Sequence, residues 1–242
     1  MPRATRPSSC GACGAAEVLY ALGDPISFLI LLLSFLVAVT AHGWIASVAA
    51  DRAGDRRPRG EGRLRPDPRR HVDAFGAIAA LIGGFGWARP LTAVTARRRR
   101  GVLVASCLAG PAANLLLAVA GLLAFKATAG QGLSAVSATA LQHGLPGLDV
   151  AERATLLFGL MNAYVGVLSL VPLPPLDGGR LLFGLAPRTL GWQKAEHQLV
   201  EQNIGLAAVL LLMLLPLGGP QPLLPAVLDN VVSPFVRLVT GG

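Results

Sequence analysis

Two ionisable side chains, His42 and Asp177, lie in or beside apolar stretches, where a polar group is costly. His42 lies 17 residues after Pro25 in an uncharged run, which places it about 25 Å along a helix. Asp177 follows another apolar run, and we expect it near the same level of a membrane. A histidine and an aspartate that converge there indicate a metal site or a proton relay. The alternative is that the two are unrelated interfacial groups.

Two asparagines, Asn114 and Asn162, are further polar residues inside apolar runs. Such amides either belong to a site or tie helices together through hydrogen bonds worth about 0.6–2 kcal/mol. A Cys-x-x-Cys pair, Cys10 and Cys13, lies in residues 1–24, which we predict to be a flexible N-terminal tail. A zinc ribbon needs a second such pair, and the sequence has none.

The composition indicates which elements carry these residues. The chain has 242 residues, of which 53% are hydrophobic and 14% are charged. Soluble domains carry about 25% charged residues, so the sequence favours an integral membrane protein over a soluble or disordered one. The net charge of +8 would suit a nucleic-acid-binding protein, but the cations cluster between apolar segments. That clustering is typical of membrane topology, and we expect no nucleic-acid partner.

The apolar runs predict an all-α polytopic membrane protein with about four main transmembrane helices. These spans cover residues 25–50, 101–124, 154–171 and 204–217, within a membrane core of residues 25–219. Residues 72–88 are apolar but broken by glycine, so we expect a re-entrant hairpin there. The apolar segment 220–242 forms either an interfacial tail or a short extra span.

The distribution of cations predicts which side each loop faces. Residues 51–100 and 176–203 contain 16 of the 21 lysines and arginines. The positive-inside rule therefore places these Arg-rich loops in the cytoplasm, with both chain termini outside. A re-entrant 72–88 keeps the two Arg clusters of residues 51–100 on one side, as this rule favours.

Four sequence motifs occur in order between about residues 26 and 218. They are Pro172-Leu173-Pro174-Pro175-Leu176-Asp177-Gly178-Gly179-Arg180; Gly62-Arg63-Leu64 with His71-Val72-Asp73; Gly84-Phe85-Gly86-Trp87-Ala88-Arg89-Pro90; and Ala109-Gly110-Pro111 with Asn114. Together they resemble the signatures of the site-2 protease family of intramembrane zinc metalloproteases. The resemblance is to the compact bacterial branch, which lacks PDZ and CBS domains, and it implies a multi-pass protein of the bacterial cell membrane.

The resemblance implies a particular chemistry. The first core helix of the family carries a His-Glu-x-x-His motif, in which both histidines bind zinc and the glutamate is the general base. The aspartate of the Leu-Asp-Gly motif is the third protein ligand. Zinc-bound hydroxide then attacks a peptide bond of a transmembrane substrate.

This chain departs from the family pattern at the residues that perform the reaction. His42 matches the first zinc ligand and Asp177 is retained, but Gly43 replaces the general base and Ala46 replaces the second histidine. Ser169 replaces the asparagine of the family's Phe-Asn-x-x-Pro stretch. Loss of a general base removes about 10²–10⁴-fold in rate, and loss of a ligand weakens zinc binding. The site motif is degenerate, and zinc binding is doubtful.

Three further residues are candidates for a replacement role. His71 and Asp73 match the family's own His-x-Asp, and we interpret them as anchors of the loop and hairpin. His197 follows Asp177 by 20 residues on the same side and could reach the site, although an interfacial position is the simpler interpretation.

Three functions remain open from the sequence. The first is a catalytically inactive site-2 protease homologue, a pseudoenzyme that binds transmembrane segments of partner proteins. The second is an active intramembrane zinc metalloprotease with a substituted metal site, acting in regulated intramembrane proteolysis. The third is a proton or ion pathway through His42 and Asp177.

Overall fold

A computed structural model describes residues 24–91, 100–129, 147–187, 189–216 and 222–241. These residues form α-helices joined by short turns, and in them the only β pairing is one antiparallel bridge between Val72 and Ala88. The predicted N-terminal tail, with Cys10 and Cys13, falls almost entirely outside the described residues. The helices are α1 (Pro25–Arg52), α2 (Arg57–Gly60), α3 (Pro68–His71), α4 (Ala74–Gly83), α5 (Arg100–Ala129), α6 (Val150–Ser169), α7 (Asp177–Leu185), α8 (Leu190–Glu196), α9 (Ile204–Leu214) and α10 (Leu223–Thr240).

The predicted class is confirmed, because the protein is all-α and several helices are long and apolar enough to cross a membrane. Helices α1, α5 and α10 each meet that condition alone. Helix α8, continued by a π-helical turn (His197–Glu201), meets it together with α9, but a bend of 64° separates them. The structure therefore contains three to four membrane-spanning helices by length and composition.

The centre of the bundle is formed by α1, α5 and α6. Small residues let these backbones approach closely: a Cβ at Gly121 of α5 would lie 2.9 Å from the Cα of Gly159 in α6. Helices in lipid gain little from burying apolar surface, so close contact through small residues is a main source of their association. Helix α6 is the most enclosed of the three, and it begins at a capping box formed by Asp149 and Glu152.

The segment predicted to be re-entrant folds back on itself. Helix α4 begins at Asp73, whose carboxylate accepts a hydrogen bond from the Gly76 backbone N–H at 2.8 Å. It ends at Gly84, which adopts the left-handed conformation with φ of 83°. The chain then returns in an extended form and pairs at Ala88 with Val72. Both ends of the segment lie together, as a re-entrant hairpin requires.

The C-terminal half differs from the predicted layout. Helix α9 has 11 residues, about 16 Å, whereas the prediction was a span over residues 204–217. Helix α10 has 18 residues and passes the test for a span, so an extra span is the favoured alternative for residues 220–242. The sequence alone left this open, because Asp229 and Pro234 interrupt the apolar run.

Two contacts set the direction of α10. Asp229, near its start, accepts a hydrogen bond of 2.6 Å from the hydroxyl of Tyr164, near the end of α6. Gly241, just past its end, lies beside Lys126, near the end of α5. Helix α10 therefore runs antiparallel to α6 and parallel to α5. The end of α6 and the start of α10 therefore lie at the same end of the bundle, with α9 in the chain between them.

Candidate functional site

His42 and Asp177 meet in the structure. The Nε2 atom of His42 lies 2.7 Å from Oδ2 of Asp177, and both residues are buried. Gly110 of α5 makes room for the imidazole, since a Cβ there would lie 2.6 Å from Nε2. Asp177 is the first residue of α7, and Gly178 allows α7 to pack against the Leu170 carbonyl, which a Cβ would approach to 2.2 Å.

The two asparagines orient the imidazole. Asn162 donates its amide N–H to the Phe158 carbonyl, so its oxygen faces Asn114 and accepts a hydrogen bond of 3.0 Å. The same Asn114 amide nitrogen donates to the Ala38 carbonyl at 3.1 Å. The Asn114 oxygen must then face His42 Nδ1, at 2.7 Å, and accept its proton. Asn114 therefore belongs to the site as well as to the helix contacts.

Asp177 has a close contact at each carboxylate oxygen. Oδ2 lies 2.7 Å from Nε2 of His42. The second oxygen, Oδ1, accepts a hydrogen bond from Arg180 at 2.8 Å. The carboxylate is therefore held between the imidazole and a guanidinium.

The position of the missing general base is occupied by another side chain. A Cβ at Gly43 would lie 2.5 Å from Nδ1 of His71, so the His71 ring takes the space that a residue 43 side chain would need. His71 is fully buried and its Nε2 donates to the Arg65 carbonyl at 3.0 Å. Burial lowers the pKa of the His71 imidazole, which favours its neutral form.

Of the remaining candidate residues, two line the cavity that contains His42 and Asp177, and two lie outside it. Ala46 and Ser169 line the same small cavity as His42 and Asp177, and the Ser169 hydroxyl donates to the Val165 carbonyl. Asp73 caps α4 and does not join the site. His197 is exposed and bonds Glu201, so it supplies no third ligand.

These residues do not fit a zinc ion. Structural and catalytic zinc sites use at least three protein ligands. Here Ala46 offers no donor atom, His42 and Asp177 are bonded to each other, and Arg180 places a cation on Asp177. Among the residues that the structure describes, no group of three His, Cys, Asp or Glu side chains is arranged to hold a metal.

A relative shows the family. The protein of Bacillus subtilis (strain 168) named "Putative zinc metalloprotease YwhC" is 32% identical over 212 residues, which covers 85% of this chain and 90% of the relative. The chain belongs to the family of this zinc metalloprotease homologue. That membership is consistent with the resemblance to the site-2 protease family. No family model matches the chain, and no solved structure matches it.

Four positions of the resembled motifs differ in what they retain. This metalloprotease homologue has the first and last ligand positions of the resembled motifs, His42 and Asp177, close together in the fold. Between them it has Gly43 and Ala46, which carry no group that could bind a metal or take a proton. Sequence reasoning identified these four positions. It missed Arg63 and Trp87, which line the same cavity and for which the surrounding motifs were the only signal.

Proposed function

We propose that this protein is a catalytically inactive member of the site-2 protease family that binds transmembrane segments of partner proteins. One observation carries the proposal: His42 bonds Asp177 directly at 2.7 Å, and the base and second ligand positions hold Gly43 and Ala46. A hydrolytic mechanism of the family type has no base and lacks a ligand here. The sequence motifs that surround the site are retained. A protein that keeps the place where a substrate helix would bind can still bind a partner helix without cleaving it.

The topology supports a multi-pass protein of a bacterial cell membrane with its Arg-rich loops in the cytoplasm. In this topology α1, α5 and α10 cross the membrane, and α6 crosses between α5 and α10 although it does not meet the condition for a span by itself. The elements α4 and α9 are re-entrant and enter from the cytoplasmic side. The site lies in the cytoplasmic half of α1, because His42 is the eighteenth of its 28 residues. This orientation keeps both chain ends outside.

The first experiment measures zinc per polypeptide in the detergent-purified protein, with His42→Ala and Asp177→Ala as controls. We expect a ratio near zero in all three proteins, because zinc sites use at least three protein ligands and Ala46 leaves only two here. A ratio near one that collapses in both variants would contradict the proposal. It would establish a third ligand and favour an active intramembrane metalloprotease with a substituted site.

A second experiment tests partner binding. A photo-crosslinking amino acid placed at Arg89, which lines the cavity and is exposed, should capture a transmembrane protein in cells. The same amino acid at Leu116, which is 73% exposed on the surface of α5, controls for random contact with membrane proteins. Capture profiles that do not differ between the two positions would count against a binding function.

A further inference from the structure

Arg63 is a buried cation without a carboxylate partner. Its side chain is only 4% exposed, and its terminal nitrogens donate to the backbone carbonyls of Arg89 and Pro90 at 2.7 and 3.0 Å. The Nε–H has no partner, and no ion pair reaches Arg63 from the described residues. The ranges outside the description contain one acidic residue, Glu17. Glu61 and Asp177 favour the charged form of Arg63 through space, but neither forms an ion pair with it, whereas buried charges in proteins are normally paired directly.

Trp87 presents a second unpaired donor at the same place. It is 2% exposed, and its indole N–H has no hydrogen-bond partner. Buried tryptophan N–H groups usually find an acceptor, as Trp44 does at the Leu64 carbonyl, 2.9 Å away. Trp87 and Arg63 line one cavity together with His42 and Asp177. Two residues that each carry a buried donor without a partner therefore border one cavity, where an acceptor would satisfy them.

The carboxylate that lines the cavity, Asp177, is not available as an acceptor for these donors. Both oxygens of Asp177 are engaged, one by His42 and one by Arg180. Two arginines, Arg63 and Arg89, therefore stand against a single aspartate that is already paired. The free volume is about 10 Å³, which is room for about one oxygen atom of the size of water. Arg89 is exposed, so the cavity lies close to the surface on that side.

We propose that this cavity binds one oxygen of a carboxylate, carried by an acidic side chain on a partner's transmembrane segment, with Arg63 Nε and Trp87 Nε1 as the donors. That the carboxylate belongs to a partner's transmembrane segment rests on the proposed function. That the ligand is a carboxylate rests on the two donors without partners. An acidic residue within a transmembrane helix is costly until it is paired. A buried arginine with a vacant N–H offers that pairing, and charge-assisted hydrogen bonds are the stronger kind.

The test measures binding of a dye-labelled synthetic transmembrane peptide to the full chain in nanodiscs. The peptide is built of leucine and alanine and carries one glutamate at the level of His42; a second peptide carries glutamine there. The wild-type protein should bind the glutamate peptide about tenfold more tightly or better. Trp87→Phe keeps an aromatic ring but removes the pyrrole part of the indole together with its unpartnered N–H, so it should reduce this preference several-fold. Trp44→Phe removes an N–H that already has a partner, and it should leave the preference unchanged.

Each other outcome overturns a stated part of the inference. Equal binding of both peptides, with no effect of acetate on thermal stability, would overturn the carboxylate and leave the proposed function standing. Acetate that raises the thermal stability of the wild type but not of Trp87→Phe, with no peptide preference, would support the carboxylate site and overturn a partner as its source. No response to either peptide or to acetate would mean that the cavity holds water only. The zinc measurement tests the proposed function separately.

Discussion

Replacement of Gly110 by alanine tests the geometry that holds His42 in place. A Cβ at Gly110 would lie 2.6 Å from Nε2 of His42 and 2.7 and 2.8 Å from two carbons of the ring. Ordinary van der Waals contact starts at 3.4 Å, so the ring must withdraw by about 0.8 Å, the difference between the two distances. The substitution adds one methyl group and changes no charge.

The expected cost follows from the hydrogen bonds of His42. Its bonds to Asn114 and Asp177 are both 2.7 Å long, and a shift of this size stretches at least one of them to about 3.5 Å, where little bonding is left. A buried polar group that loses its partner costs about 1–3 kcal/mol, and overpacking adds a similar amount. We expect Gly110→Ala to lower the free energy of unfolding by about 2–6 kcal/mol.

The same helix offers a matched control. A Cβ at Gly101 would meet no atom within 4 Å, so Gly101→Ala should be neutral or stabilise the helix by up to about 1 kcal/mol. Unfolding is followed by circular dichroism in mixed micelles as the fraction of denaturing detergent rises. In a His42→Ala background the cost of Gly110→Ala should shrink, because the ring is gone. Equal midpoints for the two single variants would refute the placement of His42 against Gly110.

Two further predictions concern other buried contacts. Tyr164→Phe removes the hydroxyl that donates to Asp229 between α6 and α10, and we expect a loss of about 1–3 kcal/mol in the same unfolding assay; an unchanged midpoint would show that this contact does not hold α10. Burial lowers the pKa of His71 in the folded protein. The free energy of unfolding is therefore unaffected by this residue above the unfolded pKa of about 6.5 and decreases as the pH falls below that value. His71→Asn should flatten this part of the profile of thermal stability against pH, and a profile that stays parallel to the wild type would contradict the assignment.

Much of the site could be anticipated from the sequence because it depends on local spacing. The helical rise along two apolar runs places His42 and Asp177 at one level, and the structure has them 2.7 Å apart. Gly43 and Ala46 are visible as departures from a known motif. The class of the protein follows from composition, since long uncharged runs can be stable only as membrane helices.

The rest depends on contacts between distant parts of the chain. The His71 ring occupies the space beside Gly43 although 28 positions separate them, and no local pattern shows this. The interpretation of His71 as a loop anchor is compatible with its bond to Arg65 but says nothing of Gly43. The unpaired donor on Arg63 is likewise visible only once every possible partner has a position. Whether α10 is a span could not be decided from local sequence. The hydrogen bond that Asp229 accepts within it comes from Tyr164, which is distant in the chain.

The meeting of α4 and α9 has a consequence for the surrounding lipid. The two helices touch at Gly83 and Met213, and at 10 and 11 residues each reaches about 15–16 Å, half of a hydrocarbon core of about 30 Å. In the proposed topology both helices enter one leaflet, so the bilayer beside this flank would thin or the opposite leaflet would cover their ends. Deformation of this kind costs a fraction of a kcal/mol per ångström. Shorter acyl chains should therefore relieve the mismatch, and the stability of this flank becomes a property of membrane thickness as well as of sequence.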